Sequence, residues 1–266
     1  MIQSDSKEIK EGYRVNIVVA MKQIPDLQQV RIRNRQPVFE DVPLTLGAID
    51  KNALEAGVAL KERSDSKLIV VSVGGEELED TIKEALAAGA DEAVLVQDEK
   101  LNGAESCVNA EILAAAIERI GEVGIILMGE GSSDNYSGQV GPRVAEILGI
   151  PGVAYARQIE LDGQVVRITR SLDDCEEELE VELPVLITVV AEINEARIPS
   201  VSQILKAGKK PKEVLEPGEL SIELEGEKKV VSLSNLAPET QRKGIVVKSV
   251  QELVKALEAD GLMGRQ

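Results

Sequence analysis

Four times between residues 15 and 149 a short β-branched apolar run gives way to a stretch of helical period, and few folds accommodate that beat. The runs are Val15 to Ala20, Leu68 to Val73, Ala93 to Val96 and Ile125 to Met128, and helices are predicted over 49–62, 76–88 and 104–120. A fourth helix is expected to begin between Gly138 and Gly141, because Pro142 fits best in a first turn. Runs that do not alternate with polar residues suit strands buried on both faces. Strands each followed by a helix pair in parallel through right-handed crossovers. The chain therefore reads as α/β, with a doubly wound, Rossmann-like parallel sheet. In such sheets ligands sit beyond the carboxyl ends of the strands, where the loops after Ala20, Val73 and Met128 converge.

The stretch from Gly124 to Gly149 is a strand, a loop of Gly, Ser, Asp and Asn, and a helix N-terminus. Its helix carries Val140, Val144, Ile147 and Leu148 on one expected apolar face. The first N–H groups of such a helix have no internal partner and carry partial positive charge, which suits a phosphate. Between Gly129 and Gly141 there is no Lys or Arg, while Glu130 and Asp134 are acidic. A phosphate here would rest on backbone N–H groups and on hydroxyls of Ser132, Ser133, Tyr136 and Ser137, with Arg143 as the nearest cation. The spacing Gly129-x-Gly131-x-x-Asp134 is one residue short of a dinucleotide fingerprint and lies at the fourth strand instead of the first. An ordinary βα loop, using Gly and Ser for turn chemistry, accounts for the same residues.

Several chemistries are excluded by composition. The 266 residues contain no histidine, which removes Ser-His-Asp and Cys-His nucleophilic sites and histidine-bearing metal sites. Cys107 and Cys175 are too few for an iron–sulfur cluster or a disulfide framework, so any redox chemistry falls to an organic cofactor. Trp is absent and Phe occurs once, so the core must be aliphatic. A net charge of −17 argues against nucleic acid or an anionic membrane as partner. The N-terminal stretch is polar and no apolar run approaches ~18 residues, so a soluble cytoplasmic protein without membrane insertion is expected.

After Pro151 the rhythm changes. Val153 to Glu160 and Gln164 to Ser171 flank Asp162-Gly163 as a hairpin. The acidic run Asp173 to Glu182 alternates with apolar residues and reads as a solvated strand face, with no metal-site spacing. Val185 to Val190 is another buried strand. Antiparallel strands thus extend the parallel sheet, and a division into 1–191 and 192–266 is expected. Beyond it come a loop, a short helix at Val201 to Leu205, the basic residues Lys206, Lys209, Lys210 and Lys212, an extended arm over 213–243, and a final helix with Val250, Leu253, Val254 and Leu257 on one face. An arm with so little core of its own is expected to clasp another subunit.

Taken together, these residues resemble the β subunit of electron-transfer flavoproteins from about residue 14 to about 218. The resemblance rests on IVVAMKQIPD, ALEAGVALKE, EALAAGADEAVLV, SDNYSGQVGPRVAEILGIP and NEARIPSVSQILKAGKKPKEVLEPG. The family's signature is nearly met by Ile168, Arg170, Asp173, Asp174, Glu177, Leu179 and Pro184, with Cys175 where Gly or an acid is usual. It implies an adenine-nucleotide-binding fold and a heterodimer with an α subunit that carries FAD. It also implies a nucleotide in this subunit, a second FAD in electron-bifurcating members or, as the alternative, AMP in simple carriers.

Carried over by position, that nucleotide would touch Ala20, Met21 and Lys22, then Gly47, Ala48, Ile49 and Asp50, then Val73. On the fourth loop it would touch Gly129, Gly131, Ser132, Ser133, Asp134, Asn135, Tyr136, Ser137, Gly138, Gln139 and Val140. The loop GEGSSDNYSGQVG is similar to the nitrogen-fixation-associated and bifurcating branch, and Gly47-Ala48-Ile49-Asp50 stands where simple carriers have Asn-Pro-Phe-Cys. With FAD, the resemblance implies hydride delivery from NADH, one electron passing to the α-subunit flavin and one to a low-potential acceptor. Dehydrogenase, ferredoxin-type or quinone-reductase proteins would be further partners. Arg197 to Lys206 matches the family's partner-recognition loop, with Val201 as apolar anchor and Arg197, Ile204 and Leu205 beside it. No residue is expected to be catalytic. A stand-alone adenine-nucleotide sensor is a rival reading, against which the long arm speaks. An ATP-pyrophosphatase would need a Ser-Gly-Gly-x-Asp-Ser loop that Met21-Lys22-Gln23-Ile24 does not supply.

Overall fold

Strand β1 (Asn16–Ala20) buries Ile17, Val18 and Val19 completely, as a strand covered on both faces must. The computed structural model describes residues 15–224, 230, 232–239 and 244–263. Two short ladders follow, β2 (Gln23–Pro25) with β5 (Leu44–Leu46) and β3 (Arg31–Arg33) with β4 (Gln36–Val38). The beat then resumes through α1 (Ala48–Glu62), β6 (Lys67–Gly74), α2 (Leu78–Ala88), β7 (Glu92–Gln97), α3 (Ser106–Ile120), β8 (Val123–Gly129) and α4 (Val140–Leu148). A meander of β9 (Gly152–Asp162), β10 (Val165–Ser171) and β11 (Glu176–Glu182) leads to β12 (Val185–Val189), α5 (Val201–Ala207), β13 (Lys212–Leu215) and finally α6 (Val250–Ala259).

Nine strands form one sheet in the order β11-β10-β9-β12-β8-β1-β6-β7-β13. All pairs from β9 to β13 are parallel, and β9-β10 and β10-β11 are antiparallel. From β1 the chain first winds outward through β6 and β7, then crosses back to β8 and β12 on the other side. The loops after β1 and β8 therefore diverge, leaving the crevice in which such sheets bind ligands. One face is covered by α1 and α2 through Leu54, Val58, Leu78, Ile82 and Leu86, and the other by α3 and α4 through Ile112, Leu113, Ile117 and Val144. The core is aliphatic throughout.

Three local expectations change. In α4 the packed stripe is Gly141, Val144, Ala145 and Leu148, the i, i+3, i+4, i+7 positions, and Ile147 lies off it, 48% exposed. A Cβ on Gly141 would stand 2.5 Å from Thr188 Cγ2, so a bare glycine is what lets the start of α4 lie against β12. The hairpin turn is Gly163-Gln164, one residue later than expected, with Gly163 at φ +64° and Asp162 opposite Val165. The arm expected from 213 begins inside the sheet, since Lys212–Leu215 pairs in parallel with β7 and buries Leu215, and Pro217–Leu220 is a 3₁₀ turn.

The chain divides into two units, 1–30 with 39–232, and 31–38 with 233–266. The first holds the sheet and the segment 192–232. In the second, the tip of the β3–β4 hairpin is tied to the later chain. Arg35 donates to the Ala237 carbonyl at 2.8 Å, the Ala237 N–H returns a bond to the Arg35 carbonyl at 2.7 Å, and Arg35 pairs with Glu239. Helix α6 is capped by Ser249, which accepts from the Glu252 N–H at 3.2 Å, and it buries no residue. Residues 225–229, 231 and 240–243 of the expected arm lie outside the described residues.

Candidate nucleotide site

A cavity of about 460 Å³ opens at the crevice. Its floor is Ala20, Val73, Met128 and Gly129 at the ends of β1, β6 and β8, and its walls are the loops that follow β1, β6, β7 and β8. Asp50, in the first turn of α1, is the pin of the site. It is 7% exposed; its Oδ2 accepts the Lys22 N–H at 2.8 Å and its Oδ1 the Gly129 N–H at 3.3 Å. One carboxylate thus ties the loop after β1 to the end of β8. The fit is close, because a Cβ on Gly47 would come 2.8 Å from Oδ2 and one on Gly129 2.7 Å from Oδ1. Burial pushes the Asp50 carboxyl up to about 6, opposed by the two N–H bonds and by the Lys22 charge.

Lys22 makes a second tie with its side chain. Its Nζ lies 2.6 and 2.9 Å from the two oxygens of Asp134 and 3.5 Å from Ser132 Oγ. Burial raises the Asp134 carboxyl, but the Lys22 ammonium and the Ser132 hydroxyl outweigh it and hold the group below the usual range. The loop 130–139 is also folded on itself. The Tyr136 N–H donates to the Ser132 carbonyl at 2.7 Å, the Tyr136 ring lies over Gly131, and its hydroxyl donates to the Glu130 carboxylate, which pushes the phenol up to about 12. Ser137 and Ser106 hydroxyls meet at 3.2 Å, joining this loop to the start of α3. The loop ends at the N-terminus of α4, where the N–H groups of Val140 and Gly141 have no intrahelical acceptor and Pro142 has no N–H to satisfy. Glycines, hydroxyls and helix N–H groups around a cavity can hold an anion and a planar ring.

Of the residues expected here, Ala20, Met21, Lys22, Asp50, Val73, Gly129, Gly131, Ser132, Asp134, Asn135, Ser137, Gly138, Gln139 and Val140 line the cavity. Gly47, Ala48, Ile49, Ser133 and Tyr136 do not. Gly47 is packed against Asp50, Ile49 against Gly129 and the core, and Ala48, Ser133 and Tyr136 face solvent. Arg143 is not the nearest cation. Its guanidinium is engaged with Gln139 Oε1 at 3.0 Å, and Lys22 supplies the positive charge from another loop.

A profile described as the Electron transfer flavoprotein domain matches residues 38–220. The chain is 37% identical over 259 residues to "Electron transfer flavoprotein subunit beta" of Thermoanaerobacterium thermosaccharolyticum, covering 92% of this chain and 98% of that one. This chain belongs to the electron transfer flavoprotein family. A Clostridium acetobutylicum β subunit is 39% identical over 195 residues, 73% of this chain and 75% of that one. "Caffeyl-CoA reductase-Etf complex subunit CarD" of Acetobacterium woodii is 35% identical over 200 residues, 74% and 76% of the two chains. The electron-transfer role of a flavoprotein β subunit follows, and with it a flavin or nucleotide cofactor and an α-subunit partner.

In this β subunit the cavity has a wall that sequence reasoning missed, from Leu101, Asn102, Gly103, Ala104, Ser106, Asn109 and Leu113. The signal was its place, at the carboxyl end of the third strand. Gln23, Pro25, Leu44, Gly74 and Glu77 extend the lining on the other side. The expected partner loop lies elsewhere on the same unit. Arg197 is turned inward, its guanidinium bound to Glu55 at 2.7 Å and Glu62 at 2.8 Å on α1, and the two carboxylates raise its basicity. Val201, Ile204 and Leu205 stand outward at 74%, 52% and 74% exposure, on a helix capped reciprocally by Ser200 and Gln203. Among the described residues no group of His, Cys, Asp and Glu could hold a metal ion, and no helix is long and apolar enough to cross a membrane.

Proposed function

We propose that this β subunit binds FAD in the cavity, pairs with an FAD-carrying α subunit, and serves electron bifurcation from NADH to that flavin and a low-potential acceptor. The observation that carries the reading is the breadth of the cavity. All four βα loops and the β2–β5 ladder contribute to its lining, and its volume of about 460 Å³ is within the range of cofactor sites. An extended dinucleotide would draw on all of these loops. The name of the Acetobacterium woodii relative, a subunit of a caffeyl-CoA reductase–Etf complex, supports an assembly that includes a reductase.

The residues fit the group. The N–H groups of Val140 and Gly141 offer donors to a phosphate, and Ser132, Ser137 and Asn135 add polar contacts. When bound, FAD supplies the one- and two-electron chemistry that no side chain here provides. The protein's part is to hold the ring, set its surroundings through Glu77 and Glu130, and exclude water with the aliphatic floor. Val201, Ile204 and Leu205 meet the electron-exchanging partner protein, and α6 clasps the α subunit.

Co-expression with the α subunit, denaturation of the purified complex, and counting of the released nucleotides by mass and absorbance tests this. Two FAD per heterodimer is the expected result. One FAD and one AMP would leave a simple electron carrier with a structural nucleotide here.

A further inference from the structure

Lys22 is the one cation among the described residues lining the cavity, where Asp50, Glu77, Glu130 and Asp134 also stand. It is already engaged. The Asp134 carboxylate accepts from the Lys22 ammonium at 2.6 and 2.9 Å, and the Ser132 hydroxyl and the Asp134 backbone N–H also stabilise its charge. An ammonium, a hydroxyl and a backbone N–H are the donors that a phosphate oxygen takes. The pair joins loops 112 residues apart across the crevice, with 41% and 27% of its side chains exposed. Half-exposed pairs of this kind are weakly held and open readily. Asp50 is the contrast, since both its oxygens are fixed by backbone N–H groups beneath the loops.

We propose that Asp134 is an internal stand-in for the ligand's phosphate: an entering nucleotide takes Lys22 and Ser132 from it, so that the site selects phosphorylated over uncharged adenosine compounds. This rests on the nucleotide reading above. Released from Lys22, Asp134 turns to solvent, and the loop after β1 is then held to the loop after β8 through the ligand instead of through the ion pair. Asp134 therefore competes with the ligand, while Lys22 serves it, and the two side chains must have opposite effects on affinity.

The test is calorimetric titration with AMP, FAD and adenosine of the complex that keeps the α-subunit FAD and is stripped of the β-subunit nucleotide, for the parent protein, Asp134→Asn, Lys22→Gln and the double variant. Asp134→Asn should tighten AMP and FAD about fivefold, and Lys22→Gln should weaken both about tenfold, with adenosine unchanged in each. In the double variant the gain from Asp134→Asn should vanish, because there is no ammonium left to release. Adenosine binding in each variant reports that the site is folded. If the parent binds nucleotides but Asp134→Asn weakens them or leaves them unchanged, the exchange is wrong and the pair is only a brace. If the parent binds neither AMP nor FAD, the nucleotide reading fails and the exchange with it.

Discussion

Asp50 is a carboxyl group buried at the cavity edge, 7% exposed, and its proton has consequences. Its folded value of about 6 lies above the ordinary 3.8, so the fold favours the protonated form. The stability this contributes is full below about pH 4 and is lost as pH rises through 6. Ionising the group in the folded chain costs about 3 kcal/mol more than in water. The difference in unfolding free energy between the parent and Asp50→Asn should therefore fall by about 2 to 3 kcal/mol from pH 4 to pH 7. Denaturant titrations across that range measure it. A flat difference would mean that the Lys22 and Gly129 N–H groups fully offset burial. Nothing in sequence spacing could foretell this. The resemblance offers Asp50 only as a nucleotide contact, and Gly129, whose N–H it accepts, lies 79 residues away in sequence.

At the scale of elements, the approach of α4 to β12 decides where the anion-holding end of that helix sits. Gly141→Ala would drive a methyl against Thr188 Cγ2, and overpacking of this kind costs about 1–3 kcal/mol. The expected outcome is a lower melting temperature and faster loss of nucleotide from Gly141→Ala, with most of both recovered on adding Thr188→Ser, which removes the obstructing carbon. Failure of the second change to rescue the first would place the strain elsewhere. The strands and helices of the beat were legible because Val, Ile and Leu runs declare buried strands wherever they occur. The stripe on α4 was misread at Ile147 because Gly141 and Ala145 pack without being large. β13 was invisible because Lys212-Glu213-Val214-Leu215 has no pattern of its own, and it is a strand only because the exposed side of β7 accepts it. The cavity wall from Leu101 to Leu113 went unseen for a related reason, since no residue type marks it and only its position past β7 does.

Across the whole molecule, −17 charges repel one another over a surface whose ion pairs are mostly half-exposed. Salt shortens the reach of that repulsion from about 30 Å at 0.01 M to about 3 Å at 1 M. The melting temperature should rise over this range, as scanning calorimetry would show, and a fall would mean that the ion pairs outweigh the repulsion. The end of the sheet at β11 adds a further consequence. Glu176, Glu178, Glu180 and Glu182 project to solvent along it, with Arg157 and Arg167 answering only some of them across the strands. A neighbouring chain that tried to lengthen the sheet would have to bring its own backbone alongside that row of carboxylates. The sheet is thus insulated at this border against lengthening by a strand of another chain.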